Sequence, residues 1–118
     1  MTDKHHVAAI VPCRDLEAST AFYARLGFEV VSDHGHYRLL SDGRGWRLHL
    51  NRTPGWPERV EDNALGLYLY VEDVDAVAEQ VRELILNDDG PRLKPWGTYE
   101  FAVSDPNGTL VRIGRVVD

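Results

Sequence analysis

With 118 residues the chain has room for one domain core and not for two. Its 43% hydrophobic and 27% charged residues are an ordinary globular balance, and a formal net charge of −6 argues against nucleic acid as a partner, because phosphate binding is driven by cationic side chains. The single cysteine, Cys13, excludes an internal disulfide or a cysteine-rich zinc site; no apolar run is long enough for a membrane span, and the stretch from Met1 to His6 lacks the apolar region of a signal peptide, so a cytoplasmic location is expected.

Val7 to Val11 is an apolar run that predicts a buried strand. Asp15 offers a side-chain oxygen to cap a helix carrying Leu16, Phe22, Tyr23 and Leu26, and Gly27 closes it. Phe28 to Ser32, His36 to Leu40 and Trp46 to Asn51 read as strands, with turn signals at Asp33-His34-Gly35 and Asp42-Gly43-Arg44-Gly45. Arg52 to Asn63 has prolines, a glycine and charges without periodicity, which predicts a linker. Beyond it come a strand at Leu65 to Val71, a cap at Asp73, and Val74, Val77, Val81 and Leu84 at helical spacing. Further strands are predicted near Arg92 to Lys94, Thr98 to Val103 and Thr109 to Arg115.

Strand–helix–strand–strand–strand thus occurs twice. Arg14-Asp15-Leu16-Glu17-Ala18 parallels Glu72-Asp73-Val74-Asp75-Ala76, and Gly45 to Arg52 parallels Gly108 to Arg115. The expected fold is α+β: two βαβββ modules, about residues 5–52 and 64–118 with a linker over about 53–63, form a single domain. Neither module can bury a helix and a sheet face alone, so the expectation pairs them as curved mixed sheets around a cavity, helices outside.

Asp15-Leu16 before the first helix, Phe22-Tyr23 inside it, Leu26-Gly27-Phe28 after it and the turn Asp105-Pro106-Asn107-Gly108 resemble the vicinal-oxygen-chelate superfamily over nearly the whole chain. Within that superfamily, Pro95-Trp96-Gly97 and the strand Gly108-Thr109-Leu110-Val111-Arg112 resemble the bleomycin resistance proteins. Enzymes of the superfamily hold a divalent metal with ligands from the first and last strands of each half. The resemblance maps those positions onto Ala8, Gly66, His49 and Arg112. Alanine and glycine offer no ligand, and arginine stays cationic, whereas a catalytic metal normally needs three protein groups. The expectation is no metal, no cofactor and no catalytic residue. His5, His6 and His34 read as surface histidines, and Glu79 and Glu83 as a solvated helix face.

Strand alternation places Trp46, Leu48 and Leu50 under the helix and Arg47, His49 and Asn51 on the other face. By the same parity Arg112, Tyr68 and Tyr70 join that face, over small floor positions at Ala8 and Gly66. In the third predicted strand His36 and Arg38 lie opposite Tyr37 and Leu39, and the first pair is assigned to the cavity. Trp96 lies in a loop-like segment, where a core role is less automatic; the resemblance implies that it clamps a flat ring such as the bithiazole of bleomycin. The expected ligand-binding set is Trp96, His36, Arg38, Arg47, His49, Tyr68, Tyr70 and Arg112.

The expected function is non-catalytic binding and sequestration of a bulky, partly aromatic small molecule, with a bleomycin-like antibiotic as the leading ligand. The alternative is an enzyme of the superfamily: a lyase, transferase or dioxygenase with a rearranged metal site, or a metal-free isomerase using His49 as base. The resemblance also implies a homodimer, with Pro12 as a hinge for exchange of the N-terminal strand.

Overall fold

The computed structural model describes residues 5–88 and 90–118. The chain divides into two units, Met1–Trp56 and Pro57–Asp118. Each begins with a strand whose exit is fixed by an aspartate cap. In the first unit Asp15 has extended backbone, and its Oδ1 accepts from the amides of Glu17 (3.0 Å) and Ala18 (3.1 Å), satisfying donors that the helix cannot. The helix α1 (Leu16–Arg25) follows β1 (Ala9–Cys13) and precedes β2 (Glu29–Asp33), β3 (Tyr37–Ser41) and β4 (Arg47–Arg52). Gly27 turns the chain out of the helix at φ +102, a conformation that other residues adopt only with strain.

The sheet order is β1-β4-β3-β2, with β1 parallel to β4 and the remaining pairs antiparallel. α1 packs on β4 and β2. Leu16, Phe22, Tyr23, Leu26, Leu48 and Leu50 bury the interface, and Tyr23 meets both Phe22 and Phe28 edge-on at centroid distances of 4.9 and 5.7 Å. The first strand departs from its expected span and burial. It starts at Ala9, because the register aligns Ala9 with Leu48 and carries the pairing through to Cys13 and Arg52. Val7 is 88% exposed and Ile10 57% exposed, so this is a half-buried strand rather than a buried one. Pro12 is accommodated because β1 lies at the sheet edge, where a missing amide donor costs little.

In the second unit the order is β5 (Gly66–Tyr70), α2 (Val74–Gln80), β6 (Arg92–Leu93), β7 (Thr98–Ser104) and β8 (Leu110–Val116). Asp73 caps α2 through the amide of Ala76. The sheet order β5-β8-β7-β6 repeats the first, with its parallel pair at β5 and β8. α2 is shorter than the apolar spacing predicts. Buried Val81 leaves helical backbone at φ −129, ψ 26, and the chain continues as a 3-10 turn over Arg82–Leu84.

The segment before β5 is fastened, not loose. Asn63 is buried; its Nδ2 donates to the Asn107 carbonyl (3.0 Å) and to Thr109 Oγ1 (2.9 Å), and its Oδ1 accepts from the Leu65 amide. The turn it grips is itself closed by Asp105, whose Oδ1 accepts from the amides of Asn107 (2.8 Å) and Thr109 (3.0 Å). The chain is therefore α+β, with two four-stranded mixed sheets, each carrying one helix. No helix among the described residues is long and apolar enough to cross a membrane.

Candidate functional site

In the second unit, the face of the sheet turned away from the buried Val111 and Ile113 is set by register: Tyr68 pairs with Arg112, Tyr70 and Glu100 with Gly114, and Ala102 with Arg112. Gly114 opens space at its centre. A Cβ there would stand 2.5 Å from Tyr68 Oη, 2.6 Å from Glu100 Cβ and 2.7 Å from the Tyr99 carbonyl oxygen, all closer than real contacts allow. Into that space goes the Glu100 side chain, with the residue only 2% exposed.

A buried carboxylate is costly unless its oxygens are bonded. Glu100 Oε1 accepts from Thr98 Oγ1 (2.6 Å), Tyr68 Oη (2.9 Å) and Trp96 Nε1 (3.4 Å), while Oε2 accepts from Arg112 Nη1 at 3.2 Å. Burial alone would raise the carboxyl pKa; the donors outweigh burial and hold it below the ordinary glutamate value. Tyr68 responds in the opposite sense, raised by burial and by donating to that carboxylate. Glu100 is thus an ionised hub to which two aromatic side chains and one guanidinium are tied.

The aromatic members point outward from this hub. Tyr68 and Tyr70 stand with ring centroids 4.4 Å apart and a 32° tilt, and Tyr70 is 60% exposed. Trp96 is 63% exposed, in a tight turn closed by the Gly97 amide on the Lys94 carbonyl, with Gly97 at φ +93. An indole with its N–H directed at Glu100 leaves much of its ring surface to solvent. A small cavity of about 190 Å³ adjoins Glu100 and Arg112, lined also by Ala102, Leu110, Lys94 and Asn87.

The first unit carries its own polar face. Leu39 pairs with His49 and Tyr37 with Asn51. Tyr37 Oη lies 2.8 Å from His49 Nδ1, and Arg47 Nη1 donates to His6 Nδ1 at 2.7 Å. An open cleft of about 640 Å³ is lined by Val31, Leu39, Arg44, Arg47 and His49, with His6 at its margin.

Two of the expected binding residues lie elsewhere. Arg38 turns toward α1: Nη1 donates to Thr20 Oγ1 (3.0 Å), Nη2 pairs with Glu17, and Nε sits 3.2 Å from Asp33 Oδ2. His36 is exposed and precedes β3, on the same alternation as Arg38. The physical reason is register. Because Leu39 aligns with His49, the odd-numbered residues of β3 share the His49 face, and Tyr37 takes the place that the sequence parity assigned to His36 and Arg38. The remaining expected residues fall into two groups: Trp96, Tyr68, Tyr70 and Arg112 on the second sheet, Arg47 and His49 on the first. Glu100, Thr98, Gly114 and Tyr37 were not foreseen. The signal for Glu100 was a lone acid within the strand Thr98 to Val103, flanked by Tyr99 and Phe101.

The positions at which the superfamily's enzymes ligate a metal do not suit one here. Ala8 and Gly66 have no donor, Arg112 is a cation bound to Glu100, and His49 Nδ1 is engaged by Tyr37. Among the described residues no three His, Cys, Asp or Glu side chains form a group that could hold a metal ion.

Comparison with known proteins agrees with this architecture. The family model described as the Glyoxalase/Bleomycin resistance protein/Dioxygenase superfamily matches residues 4–113. A bleomycin resistance protein from Klebsiella pneumoniae is 27% identical over 111 residues, covering 87% of this chain and 86% of the relative. Among solved structures, a bleomycin-binding protein complexed with bleomycin is similar at TM-score 0.80 and 26% identity, covering 97% of this chain and 98% of that one. A bleomycin resistance determinant encoded on the transposon Tn5 gives TM-score 0.79 at 27% identity, covering 98% of both. The chain belongs to the glyoxalase/bleomycin resistance protein/dioxygenase superfamily.

Proposed function

We propose that this protein binds and sequesters a bulky, partly aromatic small molecule, a bleomycin-like antibiotic first among candidates, without changing it chemically. The observation that carries the reading is the Trp96 indole, 63% exposed on a glycine-closed turn and directed by its N–H at buried Glu100. A large rigid ring offered to solvent stacks on a planar ligand at little entropic cost, and such stacking contributes about 1 kcal/mol beyond area burial. The Tyr68–Tyr70 pair on the same carboxylate hub extends the aromatic surface. Relatives at 26 and 27% identity that bind bleomycin or confer resistance to it support the choice of ligand.

One difficulty for a cationic drug is eased by where the arginines go. Arg38 is held by Glu17 and Asp33 on the helix side, and Arg112 is neutralised by Glu100. Sequestration needs affinity and no transition-state chemistry, which agrees with a residue set unsuited to the superfamily's metal. Calorimetric titration with bleomycin tests the reading. Saturable binding, with the drug recovered unaltered, is expected; turnover of the drug, or its failure to bind at micromolar concentration, overturns it.

The same reading places the protein in the cytoplasm as a homodimer. β1 is a sheet edge bearing exposed Ile10 and preceded by exposed Val7, the kind of apolar edge that a second copy covers, with exchange of the N-terminal strand as one route. Sedimentation at micromolar concentration should give a dimer; a monomer refutes the assembly.

A further inference from the structure

We infer that the cleft of the first unit is itself a ligand site, for an organic oxyanion: a carboxylate or a phosphate ester carried on an apolar body. The inference concerns another sheet and another ligand class than the sequestration proposed above, and does not rest on it. At about 640 Å³ the cleft lies within the size range of small-molecule sites. Val31 and Leu39 supply apolar wall, and the register sets His49 beside Leu39. The polar side chains of the lining are Arg44, Arg47, His6, His49 and Ser41; among the described residues no acid lines it.

Those side chains have one property in common: they offer donors. A guanidinium has five N–H groups and no acceptor. The state of each histidine follows from its partner. Arg47 Nη1 donates to His6 Nδ1 at 2.7 Å, so that ring carries its hydrogen on Nε2. Tyr37 Oη stands 2.8 Å from His49 Nδ1; with the phenol as donor, His49 also keeps its hydrogen on Nε2. Ser41 Oγ accepts from the Gly43 amide at 3.0 Å, which leaves its O–H to donate. A lining of donors without a carboxylate is matched by a ligand that brings the acceptors, and the planar arginine fork fits a carboxylate or phosphate.

The acids of the surrounding strands and turn are engaged or set back. Asp42 Oδ1 accepts from the amides of Arg44 (2.9 Å), Gly45 (3.0 Å) and Trp46 (2.9 Å), closing the turn that carries Arg44. Asp33 pairs with Arg38, which turns toward α1. Glu29 shares the cleft face through its register with Ser41, and Ser41 with Arg47, but it stands on the edge strand β2 and does not line the cleft.

The test titrates the full chain with three probes of one shape: 2-naphthoate, 2-naphthyl phosphate and neutral 2-naphthamide. Affinity is read by calorimetry, and the place of binding from the ring resonances of His49. At least one anion should bind about tenfold more tightly than the amide and shift His49; the tighter anion names the group that the cleft takes. Arg47→Gln should weaken that anion by about tenfold. Arg44→Gln, on the exposed turn, should weaken it by about threefold, and it carries the test if Arg47→Gln fails to fold. Arg25→Gln makes the same charge change on α1 and should leave the affinity as it was. The inference falls if the amide binds as tightly as both anions, if neither anion binds at millimolar concentration, or if binding leaves His49 unmoved. It falls also if the two cleft variants do no more than Arg25→Gln. Bleomycin binding, read at Trp96, is a separate measurement, so the failure of one reading leaves the other standing.

Discussion

The diagonal that joins Tyr37 to His49 in the first sheet joins Glu100 to Arg112 in the second. Tyr37 pairs in register with Asn51 and Glu100 with Gly114; Leu39 pairs with His49 and Ala102 with Arg112. The scaffold is the same and the chemistry is not. One unit has a neutral hydrogen bond of 2.8 Å, and the other an ion pair built on a buried carboxylate to which two aromatic residues are also tied. The charge follows the same division: Met1–Trp56 carries seven Lys or Arg against six Asp or Glu, and Pro57–Asp118 carries six against thirteen. A repeated βαβββ unit therefore supplies two equivalent sheet faces, and a few substitutions at matched positions give them different chemistry.

The position opposite the third-strand residue separates the halves most sharply. Gly114 cannot accept a Cβ without pushing on Tyr68 Oη and the Tyr99 carbonyl, whereas its counterpart Asn51 carries a whole side chain. Gly114→Ala should cost about 3 kcal/mol of stability, at the upper end for overpacking a dense site, because one neighbour is rigid backbone. Asn51→Ala should cost less than about 1 kcal/mol. Urea unfolding of both variants checks this, and similar losses would mean that the two faces are packed alike.

The tryptophans sharpen the contrast between binding and packing. Trp46 stacks on Phe28 at 5.9 Å, on the helix side of the first sheet, whereas Trp96 faces solvent. Trp46→Ala should lower stability by about 2 kcal/mol or more. Trp96→Ala should leave stability within about 0.5 kcal/mol and weaken binding of a planar ligand by about 1–2 kcal/mol. If Trp96→Ala instead unfolds the protein with no separable binding defect, the indole belongs to the core and the proposed site loses its anchor.

Much of the scaffold was legible because its signals are local. The caps at Asp15 and Asp73, the order of elements along the chain and the internal repeat depend on neighbouring residues, and each appears where its chemistry predicts. What was not legible depends on pairing. The face occupied by Arg38 is decided by the alignment of Leu39 with His49, and a register shift between Val30 and Ser32 further disturbs any parity carried across β2. The start of β1 likewise follows its partner β4 rather than its own hydrophobicity. Glu100 was missed because a lone acid in a strand ordinarily reads as solvent-facing. Its burial is explained only once Gly114 and the donors from Thr98, Tyr68, Trp96 and Arg112 are seen around it.

Acid should affect the two sheets unequally. The folded-state pKa of Glu100 is lower than the ordinary glutamate value of 4.5, so its stabilising contribution is fully present above that value. It is lost as pH falls through the lower folded pKa. The Tyr37–His49 pair contains no carboxylate. Hydrogen exchange, corrected for intrinsic rates, should show β7 and β8 losing protection in this acid range more than β3 and β4. Glu100→Gln should remove the difference, and its persistence would assign the acid sensitivity to other carboxylates.

The smallest expected effect concerns the neutral pair. The Tyr37–His49 hydrogen bond joins two half-buried side chains whose rings also meet edge-on at 5.4 Å. Water can replace either partner, so breaking the bond strands no charge, and a net value of about 0.5–1 kcal/mol is appropriate. Tyr37→Phe and His49→Ala should each lower stability by roughly that amount, and a double-mutant cycle should return a coupling no larger. The matching cycle with Glu100→Gln and Arg112→Gln should give a larger coupling, because removing Arg112 leaves a buried carboxylate short of one donor. Binding of a planar ligand should weaken only modestly in His49→Ala, by about 1 kcal/mol or less, and the metal content of the purified protein should not change. If the neutral pair proves the more strongly coupled, the first sheet holds the more demanding polar site, and the division of labour between the halves runs the other way.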